Sequence, residues 1–155
     1  MISKITRRIE IDAGHRIATH GGMCKGLHGH RYVIEATVFG ELVTVGTESD
    51  MVTDFGTIKQ AMMELIHATF DHAMILAYDD PVAEIIAGAP IGVVPRPCFS
   101  LLPSEPFFTK LTLIEHAPTA ERLSELWYYR LQKAVPGIFK VTVFETPNCW
   151  ASFSL

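Results

Sequence analysis

The alternation of apolar and polar residues predicts strands in both halves of the chain. Residues 9–12 alternate strictly, and residues 32–39 are rich in β-branched and aromatic side chains, so both segments are typical of strands. Motifs between these two segments therefore lie in a connection between strands. The full set of predicted strands is 9–12, 32–39, 107–114, 138–146 and 150–154.

Two further segments repeat apolar residues at three- and four-residue steps, which is the period of an amphipathic α-helix. The first covers residues 55–69 and follows Asp54, a residue type that caps helix N-termini. The second follows Thr119, continues through Leu123 and ends near Gly137. The sequence therefore predicts two helices.

The region 81–106 contains six of the nine prolines. This density predicts a long loop without regular structure, apart from one short helical turn after Pro81. The predicted order of strand, strand, helix, loop, strand, helix, strand, strand lacks the alternation of a parallel sheet. We therefore predict an α+β fold with an antiparallel sheet backed by helices. With 155 residues, 48% of them hydrophobic, the chain has the size and composition of a single domain, 1–155.

Charge and hydropathy argue against several classes of partner. The formal net charge is -4, and the longest run of basic residues is the pair Arg7 and Arg8, so we expect neither nucleic acid nor an anionic membrane as a partner. The N-terminus carries charges every few residues, and the longest uncharged stretch is too short to span a bilayer. We expect a cytoplasmic protein. The three cysteines are too unevenly spaced for a disulfide framework.

Four of the seven histidines lie between residues 15 and 30. In a strand, His28 and His30 point to the same face, and Gly29 leaves space between them. His15 ends the preceding strand and is able to approach from there. Three neutral imidazoles suit Zn²⁺ and leave its fourth position free for water or substrate. The alternative is a chance cluster of surface histidines.

Cys24, four residues before His28, has two possible roles. It completes a Cys-His₃ structural zinc site, or it stays unligated beside the cation, which would lower its pKa and make it a usable base. The spacing alone leaves both open. A second candidate pair is Asp71 and His72, because an aspartate next to a histidine is able to orient it.

Glu145 interrupts an apolar strand face, because it falls on the same side as Val141 and Val143. If that face is buried, the strand points a carboxylate inward, which is costly unless the group is paired or binds a ligand. A carboxylate of this kind suits a bidentate hydrogen bond to the N–C–NH₂ edge of a guanine or pterin ring. The alternative is an exposed strand end.

The chain contains six motifs in this order: His15, Cys24-x-x-x-His28-Gly29-His30, Met51 to Phe55, Asp71-His72, Pro118-Thr119-Ala120-Glu121 and Glu145-Thr146. Taken together, they occur in the order seen in the 6-pyruvoyl-tetrahydropterin synthase family, and the chain resembles it from about residue 5 to the C-terminus, except for the Pro-rich loop. The short interval between Cys24 and His28 is most similar to the bacterial branch, the 6-carboxy-tetrahydropterin synthases of the queuosine (7-deazaguanine) pathway.

This resemblance implies a fold, an assembly and a reaction. The fold would be the tunnelling fold (T-fold), a four-stranded antiparallel sheet with two helices on one face. Subunits would form a homohexamer, a dimer of trimers, with active sites at subunit interfaces. The reaction would convert 7,8-dihydroneopterin triphosphate to 6-carboxy-5,6,7,8-tetrahydropterin with release of triphosphate and acetaldehyde. Two alternatives are a 6-pyruvoyl-tetrahydropterin product, and a pterin- or zinc-binding protein without turnover.

The resemblance also implies a role for each site residue. The zinc ligands would be His15, His28 and His30, with Cys24 as the base that removes a proton. The assisting residues would be Asp71, His72 and Glu145, and Glu145 would also anchor the pterin. The remaining candidates for substrate contacts are Thr119 and Glu121 near the pterin, where Thr119 is equally a helix N-cap, and Arg16 and Lys25 near the triphosphate.

Overall fold

The computed structural model describes residues 1–87, 98–101 and 110–155, and within them the chain forms one mixed sheet with four helical segments. A π-helical turn, Met63–His67, joins the first two helices, and a single 3₁₀ turn, Met23–Lys25, precedes the second strand. The strands are β1 (Ile2–His15), β2 (His28–Glu41), β3 (Ala73–Ala77), β4 (Cys98–Leu101), β5 (Lys110–Ile114), β6 (Ile138–Thr146) and β7 (Cys149–Ser154). The helices are α1 (Phe55–Met62), α2 (Ala68–Phe70), α3 (Pro81–Ala87) and α4 (Ala120–Gln132).

The sheet has the strand order β4-β5-β3-β1-β2-β6-β7. The long hairpin of β1 and β2 is antiparallel, with a continuous register from Ile2 opposite Glu41 to His15 opposite His28. By contrast, β3 runs parallel to both β1 and β5. The α+β class is confirmed, but the sheet has seven strands in the described residues and is not purely antiparallel. The sequence did not predict β3 because its five residues are a continuous apolar run, as in strands buried on both faces, and lack alternation.

The Pro-rich region contains more regular structure than its composition predicts. The helical turn expected after Pro81 is present as α3, and Cys98–Leu101 forms β4, which pairs antiparallel with β5. The prolines of this region are compatible with the strand because none of them falls within Cys98–Leu101. The rest of the predicted loop, 88–97 and 102–106, lies outside the described residues, as does the predicted strand segment 107–109.

Two helices cover one face of the sheet, as predicted. The side chain of Asp54 accepts a hydrogen bond from the Gly56 N–H at the start of α1, and Thr119 Oγ1 accepts one from Arg122 N–H at 3.3 Å at the start of α4. The helix-covered face is formed by alternate strand residues that pack against the apolar sides of both helices. Its members include Ile9, Ile11, Ala13, Tyr32, Ile34, Val141 and Val143 from the sheet and Ile58, Met62, Phe70, Leu123, Trp127 and Leu131 from the helices.

The opposite, open face carries charged side chains at the alternating positions. Arg8 pairs with Glu35 across the hairpin, and Arg31 makes a bidentate contact with Asp12, with two N···O distances of 3.0 Å. The charged residues of the open face alternate along β1 and β2 with the apolar residues of the helix-covered face, and they pair across the hairpin. Among the described residues, no helix is both long and apolar enough to cross a membrane. The cytoplasmic location and the single-domain organisation stay predictions.

Candidate active site

The β1–β2 hairpin brings three histidines together at one end of the sheet. His15 continues the inward-facing series of β1, so its side chain is only 1% exposed. The register places His28 opposite His15 and His30 opposite Ala13, so both half-buried imidazoles project from β2 to the same helix-covered face. One ligand atom from each histidine lies within 4.8 Å of the other two. The sequence-predicted ligand set therefore converges in space.

Hydrogen bonds to backbone carbonyls determine which ring nitrogens remain available. His15 Nδ1 lies 2.8 Å from the Pro118 oxygen, and His28 Nδ1 lies 2.8 Å from the Gly26 oxygen. A carbonyl only accepts, so each Nδ1 carries a proton and donates it. In neutral rings the two Nε2 atoms are then both acceptors, yet they face each other at 3.0 Å. A metal ion coordinated by both rings would use these two facing lone pairs, so the donor set fits a metal ion that prefers imidazole.

His15 is held neutral by its surroundings. Burial lowers its pKa from 6.5 to about 4; the Pro118 carbonyl opposes this change, and the neighbouring His28 and His30 add to it. A neutral imidazole is the protonation state that binds a metal. His15 is therefore in the ligand form at neutral pH.

Glu145 reaches this centre from a different strand. Its neighbours Phe144 and Thr146 pair with Trp150 and Cys149, which leaves Glu145 unpaired in a β-bulge of β6. Bulges of this kind redirect a side chain. The carboxylate, 25% exposed, has Oε1 at 3.9 Å from His15 Nε2. The acid thus lies beside buried His15, on the side that alternation along β6 predicts, and its role in the site stays a prediction.

Cys24 lies in the 3₁₀ turn that precedes β2, and its thiol is free and half-buried. The Ile17 N–H donates to the Cys24 carbonyl at 2.8 Å, which fixes this turn against the end of β1. Burial, then the charges of Glu145 and Cys24, raise the pKa of the Tyr32 phenol, so both acidic groups lie within electrostatic reach of its hydroxyl. In the part of the chain that the structure describes, the set of mutually close ligand atoms consists of the three histidines without Cys24.

Asp71 and His72 form a pair that faces another opening. Asp71 Oδ2 lies 2.8 Å from His72 Nδ1, and its Oδ1 accepts from the Asp12 N–H at 3.0 Å. Burial raises the pKa of Asp71, but these hydrogen bonds outweigh burial and the net change is downward. His72 has a left-handed backbone with φ of 56° and a ring 79% exposed, in a surface depression of about 480 Å³ that Arg31 and His30 also line. The pair thus borders the open-face charges, and the residues that line this depression do not include Cys24.

The four remaining candidates occupy different environments. Arg16 is engaged by Asp80, with Nε 2.9 Å from Oδ2 and both side chains largely buried. Lys25 and Glu121 are exposed. Thr119 caps α4, so its structural alternative is confirmed.

Tyr32 contacts the histidines, although its position in the sequence did not predict a place in the site. An aromatic residue within a strand is most simply explained as core, and Tyr32 is fully buried. Its ring nevertheless contacts His15 and His30, with ring centroids 5.8 Å and 5.5 Å away. The period-two spacing from His28 through His30 to Tyr32 was the available signal.

The strand order and helix packing place the chain in a structural class, the T-fold proteins. An uncharacterized protein from Wolinella succinogenes has a similar structure, with a TM-score of 0.82 at 18% identity, covering 99% of this chain and 98% of that one. The 6-pyruvoyl tetrahydropterin synthase of Caenorhabditis elegans aligns with a TM-score of 0.66 at 21% identity, covering 99% and 96%. At these identities the two structures establish the fold alone.

Sequence comparison then gives the family. The model of the 6-pyruvoyl tetrahydropterin synthase family matches residues 4–155, and the chain belongs to this family of enzymes. Among curated relatives, the 6-carboxy-5,6,7,8-tetrahydropterin synthase of Rickettsia bellii is 33% identical over 152 residues, covering 95% of this chain and 96% of the relative. The enzyme of the same name from Aquifex aeolicus is 28% identical over 173 residues, covering 97% and 96%.

Proposed function

We propose that this protein is a zinc-dependent lyase that converts 7,8-dihydroneopterin triphosphate to 6-carboxy-5,6,7,8-tetrahydropterin. The observation that carries the proposal is the pair of facing Nε2 atoms of His15 and His28, 3.0 Å apart, with the Glu145 carboxylate 3.9 Å from His15. This arrangement combines a cation site with an anchor for an N–C–NH₂ edge. The 33% identity to a relative named for this product supports the choice of reaction.

The three histidines would hold the zinc ion, and the protein fixes the orientation of two of them in advance. The carbonyls of Pro118 and Gly26 accept the Nδ1 protons, which orients the rings of His15 and His28 and directs their Nε2 lone pairs inward. When bound, zinc supplies Lewis acidity to the hydroxyls of the substrate side chain, which makes the adjacent C–H more acidic. Because His15 is already neutral at pH 7, it can bind the zinc ion without losing a proton.

Cys24 would be the base that removes a proton from the substrate side chain. Its position outside the set of mutually close histidine ligand atoms supports an unligated catalytic thiol over a fourth zinc ligand. Glu145 would accept hydrogen bonds from the pterin edge, since its half-buried carboxylate lies 3.9 Å from His15 on the helix-covered side.

Asp71 and His72 would assist Cys24 as a relay in a neighbouring subunit. Within one chain, the Asp71 carboxylate accepts a hydrogen bond from the Asp12 N–H, and His72 lines the surface depression. The residues that line this depression do not include Cys24. Exposure of the His72 ring supports its use by a second copy in a homohexamer with interfacial sites. Lys25, Glu121 and Thr119 stay proposed substrate contacts.

Arg16 is a weaker candidate for the triphosphate, because the Asp80 carboxylate already neutralises its charge. Lys25, which is exposed beside Cys24, is the better placed of the two cations.

The test is a product assay on the zinc-loaded protein with 7,8-dihydroneopterin triphosphate, using mass spectrometry and detection of acetaldehyde. We expect Cys24→Ala to abolish turnover while it retains zinc, and Cys149→Ala, at an exposed free cysteine, to match the wild type. Turnover that survives both zinc removal and Cys24→Ala would refute the proposal. A 6-pyruvoyl product without acetaldehyde would assign the other branch. Sulfur in the first shell at the zinc absorption edge would favour a structural zinc site.

A further inference from the structure

The hydroxyl of Tyr32 is an unpaired polar group in the wall of the site. Tyr32 is 0% exposed, and its Oη has no hydrogen-bond partner among the described residues. A buried hydroxyl without a partner is unfavourable, so its presence requires an explanation. A phenylalanine would fill the same space between Ile11 and the helices without this cost.

The ring leans toward the histidine centre. Successive side chains on one face of a strand stand about 7 Å apart. The ring centroid of Tyr32 is nevertheless 5.5 Å from that of His30 and 5.8 Å from that of His15, both edge-on. Trp127 closes the other side, with its ring centroid 6.5 Å away. The phenol is thereby packed rigidly beside the place where a ligand of the centre would lie.

Glu145 and Cys24 can act as acceptors in the site, whereas the Tyr32 hydroxyl is a buried donor beside the histidines. Glu145, with Oε1 3.9 Å from His15, is an acceptor when ionised, and a thiolate at Cys24 is also an acceptor. The side chain of a neopterin carries hydroxyl oxygens, which accept hydrogen bonds as well as donate them. A neutral phenol complements these oxygens, whereas Glu145 complements the N–C–NH₂ edge of the ring.

We propose that the Tyr32 hydroxyl is a substrate-positioning group that donates a hydrogen bond to an oxygen of the pterin side chain bound over the three histidines. The inference rests on the proposed function and adds a residue to it. Tyr32 acts by fixing the side chain next to Cys24, and it accepts no proton during the reaction.

The first experiment compares Tyr32→Phe with the wild type and with Tyr128→Phe as the matched control. Tyr128 is another buried tyrosine, 3% exposed, which packs on Phe153 and Tyr129 away from the histidines. Binding of neopterin, which has the hydroxylated side chain, and of pterin, which lacks it, is followed by fluorescence on the zinc-loaded proteins. Loss of one neutral hydrogen bond should weaken neopterin binding about 3- to 10-fold and leave pterin binding unchanged.

Stability and spectroscopy separate this role from a structural one. In the ligand-free protein, Tyr32→Phe should have an unchanged or higher Tm, because it removes an unpaired buried hydroxyl. The chain has four tyrosines, so protein labelled with ¹³Cζ-tyrosine gives a resolvable set of resonances, and the one missing in Tyr32→Phe is that of Tyr32. Neopterin should shift this resonance and leave that of Tyr128 in place.

The inference is overturned if Tyr32→Phe binds neopterin as the wild type does, or loses pterin and neopterin binding equally. It is also overturned if the Tyr32 resonance moves with zinc alone and not further with neopterin. These outcomes leave wild-type turnover intact and so count only against Tyr32. A wild-type protein that neither binds nor converts the pterin overturns the proposed function itself, and the role of Tyr32 with it.

Discussion

Protonation of His15 should make the metal-free protein less stable in mild acid. The folded protein holds the pKa of this buried imidazole at about 4, against 6.5 for an unperturbed histidine. Between these two values the unfolded chain binds a proton that the folded chain excludes. The unfolded state then binds more protons, so the free energy of unfolding falls as the pH is lowered from 6.5 toward 4. Above pH 6.5 both states are neutral at this residue and the effect vanishes.

The expected magnitude follows from the width of this window. Each pH unit within this window lowers the free energy of unfolding by about 1.4 kcal/mol, so the full window lowers it by about 3 kcal/mol. His15 is 1% exposed, so solvent screening reduces this value little. A loss of this size is a large fraction of the 5–15 kcal/mol that is typical of the total stability of a domain.

The assay is urea unfolding of chelator-treated protein at one protein concentration, over about pH 7 to about pH 4.5. His15→Gln removes the titrating group, so its stability should fall less steeply with acid than that of the wild type. His20→Gln, at an exposed histidine outside the centre, should keep the wild-type slope. If His15→Gln were as steep as the wild type, burial of His15 would not be the cause.

Two further predictions concern packing around the site. Gly29→Ala should weaken zinc binding at least about tenfold, because its Cβ would stand 2.9 Å from the Ala13 carbonyl oxygen and push the two β2 histidines from their register. Gly21→Ala, with nothing within 4 Å of its Cβ, is the control, and equal zinc affinities by competition titration would contradict this account. Asp80→Asn should cost about 3 kcal/mol in urea unfolding, since it leaves Arg16 buried without its partner. Glu125→Ala, which breaks an exposed pair, should cost under about 1 kcal/mol, and similar losses in both variants would argue against a buried ion pair.

Local periodicity accounts for the parts of the fold that the sequence predicted. The helices were found because α1 and α4 each bury one side and begin at a capping side chain. The strands β1 and β2 were found because one sheet face is covered and the other is open. The strand β3 lacks this contrast, and β4 lies among prolines, so neither pattern separates them from other apolar segments. Their places in the sheet depend on long-range pairing.

The distinction between local spacing and long-range pairing applies to the site as well. His28 and His30 share a face because they are two residues apart, and the strand-face argument for Glu145 needed only its own strand. The ion pair of Arg16 with Asp80 joins segments more than sixty residues apart, so spacing does not reveal it. Tyr32 looked like an ordinary core residue because only the packed structure shows that its hydroxyl has no partner.

The location of all three histidines on one hairpin has a consequence for the order of folding. A hairpin joins residues close in sequence, and such contacts form with little loss of chain entropy, ahead of pairings across the whole chain. The spacing of the three rings is therefore established once β1 and β2 pair to form the hairpin. The carbonyl that orients the His15 ring belongs to Pro118, which arrives only when the chain beyond β5 has docked. Metal capture early in folding would thus begin with the His28 ring oriented by Gly26 and the His15 ring still free to turn, and complete assembly would make the site rigid.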